Sequence, residues 1–310
     1  MSVTIRSFRP EDQDALLEIW ADTLYRDAVS PDRFRTMVLL DPNHVAESLF
    51  VAEVDGNPVG LLIGRVQKTH TEIEFIRDKA YITAMFVAPQ YQRQGIGTQL
   101  LEHALDWFRS QGKKMVLVSP YPYTRHYFFP GIDVNAYAGG YQFLKKHGFV
   151  DGSRQAWMSM KLLDFRIPAE IKALEAKLQA EGIRIQAFEH KYLTGLLDFL
   201  NRVFPGDWPA LIRERVERKV DNDETWIVLD GETVIGYAQY EAERFGPFGV
   251  SDEYRGRSIG TVLFYRTLQR MKAKGRKSLW LAWTGGAAQR FYERHGLTVD
   301  RDQVIMKKEL

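Results

Sequence analysis

The sequence predicts an α/β chain of two domains, because one order of strands, glycine loops and helices occurs in it twice. An apolar run followed by a glycine loop and an amphipathic helix appears at residues 81–108 and again at residues 248–274. The two loops carry related octets, Tyr91-Gln92-Arg93-Gln94-Gly95-Ile96-Gly97-Thr98 and Tyr254-Arg255-Gly256-Arg257-Ser258-Ile259-Gly260-Thr261. The length of 310 residues agrees, since two domains of roughly 150 residues fall in the common range.

The repeat extends on both sides of the octets. Val54-Asp55-Gly56 recurs as Leu229-Asp230-Gly231 between two strand-like runs, and a β-hairpin is expected at each place. Residues 143–149, Phe-Leu-Lys-Lys-His-Gly-Phe, recur as residues 291–297, Phe-Tyr-Glu-Arg-His-Gly-Leu, and in both the glycine favours the end of a helix. The order is the same in both copies, which indicates one module written twice.

Hydrophobic periodicity predicts the elements of each copy. In the first copy we expect strands near 3–7, 49–54, 58–66, 81–87, 115–118 and 157–162, with helices near 10–20, 31–40, 100–108 and 141–146. In the second we expect helices at 192–203, 208–219, 261–274 and around 291, a hairpin over 226–243, and strands near 184–186, 248–250, 278–282 and 304–308. The predicted domains are residues 1–163 and 184–310, joined by a helix within 164–183 that acts as a linker or an interdomain brace.

Composition excludes several classes of function. The 42 basic and 40 acidic residues give a net charge of +2 without a long basic block, so neither nucleic acid nor a membrane surface is an expected partner. The chain has no cysteine, which excludes a disulfide framework, a zinc–thiolate site and a cysteine nucleophile. No run approaches the roughly 20 apolar residues of a membrane helix, and the start lacks an apolar signal region, so we expect a cytoplasmic protein. The 7 histidines are scattered, and no metal is expected.

The octets have the chemistry of an anion site. Each follows an apolar strand and opens a helix, where free N–H groups and the helix dipole favour phosphate. The first octet lacks the third glycine of a dinucleotide fingerprint, and no Gly-Lys-Ser/Thr loop occurs, so nicotinamide or nucleoside-triphosphate chemistry is disfavoured. The structural alternative for one copy alone is a tight strand-to-helix turn. The first copy is the preferred site because the second has Ser258 where a glycine is expected, a loss that Arg255 and Arg257 can offset.

Together these motifs resemble the Gcn5-related N-acetyltransferase (GNAT) superfamily. The resemblance rests on a strand ending Val-Ala-Pro, the Gln92-x-x-Gly95-x-Gly97 loop, and a later helix ending Phe-x-x-x-His-Gly-Phe, and it covers both halves. The tandem arrangement is similar to mycothiol synthase and related two-module acetyltransferases. It implies two acyl-CoA N-acyltransferase-like domains, each a mixed, mostly antiparallel sheet flanked by helices. It also implies an acetyl-CoA donor and direct transfer of the acetyl group to the amine of a small molecule or peptide.

The resemblance also implies site residues. A Tyr on the last helix of the module often protonates the leaving thiolate, which makes Tyr292 the catalytic candidate, with Tyr141 as a substitute in the first copy, where Leu144 stands at the matching position. The residues expected to bind the cofactor lie in the strand before each octet, which we call the donor strand, and in the octet itself. They are Met85, Phe86, Val87, Gln92, Arg93, Gln94, Gly95, Ile96, Gly97, Thr98, Phe248, Gly249, Val250, Arg255, Gly256, Arg257, Ser258, Ile259, Gly260 and Thr261. Candidates for a general base are Glu72, Glu74, Glu241 and Glu243, although water can serve equally.

Two insertions distinguish the first copy, near residues 67–79 and 120–133. The second is rich in aromatic side chains, and it indicates either a wall for an amine with apolar bulk or an interdomain packing patch. The split of the better phosphate loop and the better tyrosine between the two copies leaves a second hypothesis open. In it, the protein is a non-catalytic acyl-CoA sensor or scaffold. The oligomeric state is not predicted.

Overall fold

The computed structural model describes residues 2–67, 78–118 and 131–310. They divide into two compact units. Unit 1 contains the described residues up to Ala156 together with Arg301–Leu310, and unit 2 contains Trp157–Asp300. The last residues of the chain therefore belong to the same unit as the first, which residue order alone does not indicate.

The elements follow the predicted order. The strands are β1 (Val3–Ser7), β2 (Leu49–Val54), β3 (Asn57–Val66), β4 (Lys79–Val87), β5 (Met115–Val118), β6 (Ile132–Asp133), β7 (Val150–Lys161), β8 (Ile183–Ala187), β9 (Thr225–Asp230), β10 (Thr233–Glu241), β11 (Arg244–Val250), β12 (Ser278–Thr284) and β13 (Thr298–Glu309). The helices are α1 (Gln13–Thr23), α2 (Pro31–Phe34, continued by a π-helical turn), α3 (Ile96–Ser110), α4 (Ala138–Lys146), α5 (Ala169–Ala180), α6 (Leu193–Val203), α7 (Trp208–Glu217), α8 (Ile259–Ala273) and α9 (Gly286–Arg294).

The sheet of unit 1 is mostly antiparallel. Strands β1, β2, β3 and β4 pair antiparallel in that order, and β4 pairs parallel with β5. The C-terminal strand β13 then pairs antiparallel with β5, with Met306 opposite Val118 and Glu309 opposite Met115. Residues 301–309 of β13 thus supply a strand of the unit 1 sheet.

Helices cover both faces of the unit 1 sheet. Leu62 of β3 packs into a core with Leu101 and Phe108 of α3, and the same core includes Val304 and Met306 of β13. The neighbouring β3 residues point to the other face and pack against α1 and α2. Because both faces are covered, β3 is buried almost throughout, and its sequence lacks the polar alternation of a half-exposed strand.

Unit 2 repeats this architecture. Strands β8, β9, β10 and β11 pair antiparallel in order, and β11 runs parallel to β12. Helices α6 and α7 cover one face of the sheet, and α8 covers the other. The helix predicted as a linker, α5, packs on the α8 side through Ile171 and Leu178. The predicted α/β fold of two modules with mostly antiparallel sheets is confirmed.

The two predicted hairpins have different turns. In the first, Asp55 and Gly56 are the central residues, both with positive φ, as a type I′ turn requires. In the second, Asp230 pairs with Thr233, so the central residues are Gly231 and Glu232, and only the glycine has positive φ. The second turn therefore lies one residue later than the repeated Asp-Gly pair indicates.

Among the helices of the described ranges, none combines the length and the apolar composition that crossing a bilayer requires.

Candidate active site

The loop between β4 and α3 places alternate residues in the left-handed conformation. Arg93 has φ 59°, and Gly95, which directly precedes α3, has φ 84°. The first helical hydrogen bond runs from the Gln99 N–H to the Gly95 carbonyl oxygen at 3.1 Å. The N–H groups of residues 96–98 therefore come before the helical ladder begins, and they form the donor-rich end of a helix at which anions bind.

The loop between β11 and α8 has the same backbone pattern. Gly256 has φ 80°, and Ser258, which directly precedes α8, has φ 60°. The first helical bond joins the Val262 N–H to the Ser258 carbonyl oxygen at 3.1 Å. Residues 259–261 thus present the same set of N–H groups as residues 96–98. The two loops differ in which of the two left-handed positions carries the glycine.

This difference predicts an effect on stability. Ser258 and Arg93 hold a conformation that costs a residue with a side chain about 1–2 kcal/mol, which exceeds the roughly 0.4–1 kcal/mol that glycine adds to the entropy of the unfolded chain. Ser258→Gly is therefore expected to raise the free energy of unfolding by about 0.5–1 kcal/mol, measured by urea denaturation. Ser110→Gly, at the last residue of α3, where the backbone is right-handed, is the control and should lower it. A destabilising Ser258→Gly would contradict the left-handed assignment.

Packing does not explain why the second glycine of each loop, Gly97 or Gly260, is a glycine. A Cβ added to Gly97 would lie 3.6 Å from the Phe143 ring and 3.9 Å from Met85, which is ordinary contact. A Cβ added to Gly260 would lie 3.6 Å from Phe248. Alanine would also favour the helix by about 1 kcal/mol, so glycine at both positions is suited to close approach by a ligand.

The polar side chains of the first loop bond to the local backbone. The Gln92 side-chain amide donates to the carbonyl oxygen of Val87 at 2.8 Å, which ties the loop to the end of β4. The Gln94 amide donates to the Gln90 carbonyl oxygen at 2.9 Å. These bonds fix the shape of the loop. The N–H groups of residues 96–98 belong to the first turn of α3 and point outward from its N-terminal end.

The arginines of the second loop are paired with carboxylates. Arg257 donates to Glu181 at 2.6 Å, and Arg255 lies 2.6 Å from Asp252. Ion pairs exposed in this way contribute only about 0–1 kcal/mol, so a bound anion can compete for either guanidinium at small cost.

A threonine–histidine pair supports each loop from the neighbouring helix. Thr98 Oγ1 lies 3.1 Å from His147 Nε2, and His147 Nδ1 lies 2.8 Å from the carbonyl oxygen of Phe143. A carbonyl only accepts, so Nδ1 carries the proton, and in the neutral ring Nε2 accepts from the threonine hydroxyl. The corresponding pair in unit 2 is Thr261 and His295, at 3.5 Å, and there burial lowers the pKa of His295. The sequence assigned Thr98 and Thr261 to cofactor binding, but their pairing with the histidines was not predicted, although both residue types recur in the two copies.

Each donor strand, β4 in unit 1 and β11 in unit 2, pairs with its parallel neighbour over only part of its length. In the described residues of unit 2, β11 and β12 share one registered pair, Arg244 with Trp280, so the β11 backbone from Phe245 to Val250 faces an opening on that side. In unit 1, β4 pairs with β5 through Lys79–Ile82, and Met85, Phe86 and Val87 follow the paired segment. An opening beside a donor strand is where an extended ligand can lie along the backbone.

The predicted catalytic residue Tyr292 lies on α9 in a cluster of phenylalanines. Its ring centroid is 5.8 Å from that of Phe264 and 6.2 Å from those of Phe245 and Phe248. Burial raises the pKa of Tyr292, so its hydroxyl is protonated at neutral pH. Phe248 belongs to the donor strand, and Tyr292 is therefore positioned next to the segment expected to hold the thioester.

Tyr141, the substitute candidate in unit 1, has a different environment. Its hydroxyl donates to Asp151 at 2.8 Å, and Lys145 lies 3.2 Å from the same carboxylate. The hydrogen bond to Asp151 raises the pKa of Tyr141. Its proton is thus engaged in a surface cluster of α4 and β7.

Two of the four candidate general bases lie in the described residues. Glu241 lies 3.3 Å from Arg218, and Glu243 lies 4.0 Å from Arg276, so both take part in surface ion pairs. Glu72, Glu74 and the aromatic residues of the second insertion, Tyr121, Tyr123, Tyr127, Phe128 and Phe129, lie outside the described residues. Across 2–67, 78–118 and 131–310, no group of three His, Asp or Glu residues is arranged to hold a metal ion.

Several solved structures share this fold. A GCN5-related N-acetyltransferase of Sphaerobacter thermophilus aligns with a TM-score of 0.70 at 17% identity, over 99% of this chain and 95% of that one. A tandem GNAT protein from the clavulanic acid biosynthesis pathway aligns with a TM-score of 0.59 at 14% identity, over 99% and 98%. The glucosamine N-acetyltransferase region of a fungal multi-domain GH3 β-N-acetylglucosaminidase gives a TM-score of 0.80 at 21% identity, over 99% of this chain and 38% of that one.

Sequence comparison gives the same assignment. An uncharacterised N-acetyltransferase of Methanocaldococcus jannaschii is 28% identical over 125 residues, which cover 36% of this chain and 51% of the relative. The match thus spans about half of the curated relative's length. The family model described as "Acetyltransferase (GNAT) family" matches residues 6–128 and again residues 193–297, one match for each copy of the repeat. The predicted family is confirmed, and the chain belongs to the GNAT acetyltransferase family.

Proposed function

We propose that the protein transfers an acetyl group from acetyl-CoA to the amine of a small molecule or peptide. The observation that carries this proposal is the repeated loop, with alternate left-handed residues, three N–H groups ahead of the helical ladder and a glycine that packing does not require. A diphosphate matches such a concave set of donors. Membership of the GNAT family supports acyl transfer in general.

Both loops fit the diphosphate of coenzyme A. In unit 1, residues 96–98 would hold it, and Met85, Phe86 and Val87 would line the pantetheine arm. In unit 2, residues 259–261 and the arginines of the loop would hold it, with Phe248, Gly249 and Val250 along the arm. The cofactor supplies an activated acetyl group as a thioester. Unit 1 is proposed as the tighter site because Gly95 directly precedes α3, whereas Ser258 stands at the same place before α8.

Acetyl transfer is proposed to take place in unit 2. The amine nitrogen forms a bond to the thioester carbonyl carbon, the carbon–sulfur bond breaks, and the nitrogen loses its proton to water. Tyr292 donates a hydrogen bond to the departing sulfur. The pKa of an ordinary tyrosine already lies above that of a thiol, roughly 8.5, and burial raises the pKa of Tyr292 further. The hydroxyl therefore stabilises the leaving thiolate without giving up its proton completely. Protonation of the thiolate is then completed from solvent.

Tyr292→Phe is expected to lower the turnover rate about 10- to 100-fold. A hydrogen bond to a charged group contributes about 1.5–3 kcal/mol, and here the charge develops only in the transition state, so the affinity for acetyl-CoA should stay unchanged. The rate is measured as thiol release with a panel of amines that includes glucosamine, the amine in the description of the fungal neighbour.

Tyr265→Phe, on α8 in the same unit, is the control and should keep the full rate. Loss of activity in Tyr141→Phe with a normal Tyr292→Phe enzyme would move the chemistry to unit 1. Tight binding of acetyl-CoA without thiol release for any amine would instead support the sensor hypothesis.

A further inference from the structure

The two faces of the donor strand β11 have different neighbours. A Cβ added to Gly260, at the start of α8, would lie 3.6 Å from Phe248, so the Phe248 side chain points toward the proposed phosphate loop. Strand alternation turns Gly249 to the opposite face. On that face a Cβ at Gly249 would lie 2.7 Å from Cε2 of Phe204 and would overlap the tip of its ring. The ring of Phe204 therefore occupies the volume of a side chain at position 249.

Space, and not backbone conformation, explains the glycine. Gly249 is absent from the positions with positive φ, so any residue can adopt its backbone geometry. Glycine inside a strand weakens the strand and often marks a close approach by another group. Here the approaching group is the Phe204 ring.

Phe204 caps α6 through its backbone, because its N–H donates to the Leu200 carbonyl oxygen at 2.9 Å, while its ring is held by aromatic contacts. It follows the last residue of α6 and precedes α7, and its side chain is half-buried. Its ring stacks on Trp208 with a centroid distance of 4.4 Å and an interplanar angle of 23°, and it meets Phe199 edge-on at 5.7 Å. The ring can leave the strand by rotation of the Phe204 side chain, which keeps the backbone hydrogen bond to Leu200 and both helices intact.

In unit 1, a side chain of the donor strand itself fills the corresponding space. Met85 corresponds to Phe248, because each contacts the second loop glycine of its own unit. The next residue, Phe86, corresponds to Gly249, is 5% exposed, and packs on Trp20 at 5.4 Å. A ring that belongs to the strand cannot move aside without breaking the sheet. Of the two corresponding positions, Phe86 and Gly249, only the space beside Gly249 can therefore be vacated, because the ring that fills it belongs to another segment.

We propose that Phe204 determines the acceptor specificity of unit 2: a primary amine that carries an aromatic group displaces the Phe204 ring and stacks its own ring between Gly249 and Trp208. The inference rests on the proposed function, in which the arm of the donor lies along the β11 backbone at the opening beside β12, whereas the side-chain position of Gly249 faces Phe204. Tyr237, the cross-strand partner of Gly249, has its hydroxyl bonded to Gln239 and is buried, so the vacated space is flat and apolar. An aromatic group fits such a space better than a charged one.

The test uses 2-phenylethylamine as the probe and ethylamine as the same amine without the ring. Because displacement of Phe204 reduces the apparent affinity, Phe204→Ala should bind 2-phenylethylamine about 10-fold more tightly than the natural chain. Affinity for ethylamine should not change. The double variant Phe204→Ala/Gly249→Val, which refills the space with a side chain of the strand that cannot move aside, should lose the gain and bind 2-phenylethylamine no more tightly than the natural chain. Calorimetry on the full chain measures each affinity.

Phe165→Ala is the matched control, since Phe165 packs on Tyr265 in the same unit, and it should leave both affinities unchanged. If thermal melting shows that Phe204→Ala is unfolded, Phe204→Leu replaces it, with the same direction expected. Unchanged or weaker binding of 2-phenylethylamine by the folded variant would overturn the inference. Tighter binding without thiol release would instead leave the inference standing and remove the proposed function, because affinity is measured without turnover.

Discussion

Deletion of residues 301–310 is expected to unfold unit 1, although these residues are farthest in sequence from its first strand. The deletion removes the β13 residues that pair with β5, and with them Val304 and Met306, both fully buried in the core beneath α3. Removal of each buried side chain costs about 2–5 kcal/mol, and the sum reaches the whole stability of an ordinary domain, about 5–15 kcal/mol. Hydrogen exchange, followed separately for amides of the two units, measures the effect.

Single substitutions in β13 test the same packing without removing the strand. Met306→Ala should lower the free energy of unfolding by about 2–5 kcal/mol. Lys307→Ala is the matched control, because Lys307 is the next residue, is exposed and should change stability by no more than about 0.5 kcal/mol. A fragment of residues 1–163 that shows native exchange protection without the C-terminal strand would contradict this assignment of β13.

Gly95→Asp is expected to abolish binding of acetyl-CoA at unit 1. No atom lies within 4 Å of a Cβ built on Gly95, so the new carboxylate has room in the folded protein and reaches the space proposed for the diphosphate. Two like charges about 4 Å apart at a protein surface repel by about 4 kcal/mol, which corresponds to about a 1000-fold loss of affinity. Isothermal titration with acetyl-CoA should show one binding site fewer than in the natural chain.

Gly112→Asp provides the matched control for this substitution. Gly112 also has positive φ, with 69° against 84° for Gly95, and it too has no atom within 4 Å of an added Cβ. The two variants therefore introduce similar backbone strain and the same charge in unit 1, at opposite ends of α3. Equal losses of acetyl-CoA affinity in both would indicate a general effect of strain or charge.

The repeat made the fold and the loops predictable, because each local signal occurs twice in the same order. The Asp55-Gly56 hairpin, the strand before each octet and the glycine-ended helices depend on short-range chemistry that single residues carry. The place of β13 could not be predicted, since Val304 and Met306 alternate in the same way whichever sheet receives the strand. Pairing between distant segments leaves no mark in local periodicity.

The candidate site was also predictable only in part. The N–H groups of residues 96–98 follow from the position of the octet at a helix start. The left-handed conformation of Arg93 does not, because most residues with side chains avoid it. The contact between Phe204 and Gly249 was also missed, although one signal existed: glycine stands in the second copy where the first has Phe86. A glycine that replaces an aromatic residue within a repeat indicates that another ring fills the space.

The most direct test of the central claim, that the N–H groups of residues 96–98 bind the diphosphate of the donor, compares acetyl-CoA with S-acetylpantetheine, which lacks the diphosphate. Calorimetry of the natural chain, Gly95→Asp and Gly112→Asp with both ligands measures the affinities. We expect Gly95→Asp to lose affinity for acetyl-CoA at one site and to keep the weaker affinity for S-acetylpantetheine, while Gly112→Asp keeps both. Equal affinity of the natural chain for the two ligands, or an unchanged affinity of Gly95→Asp for acetyl-CoA, would contradict the claim.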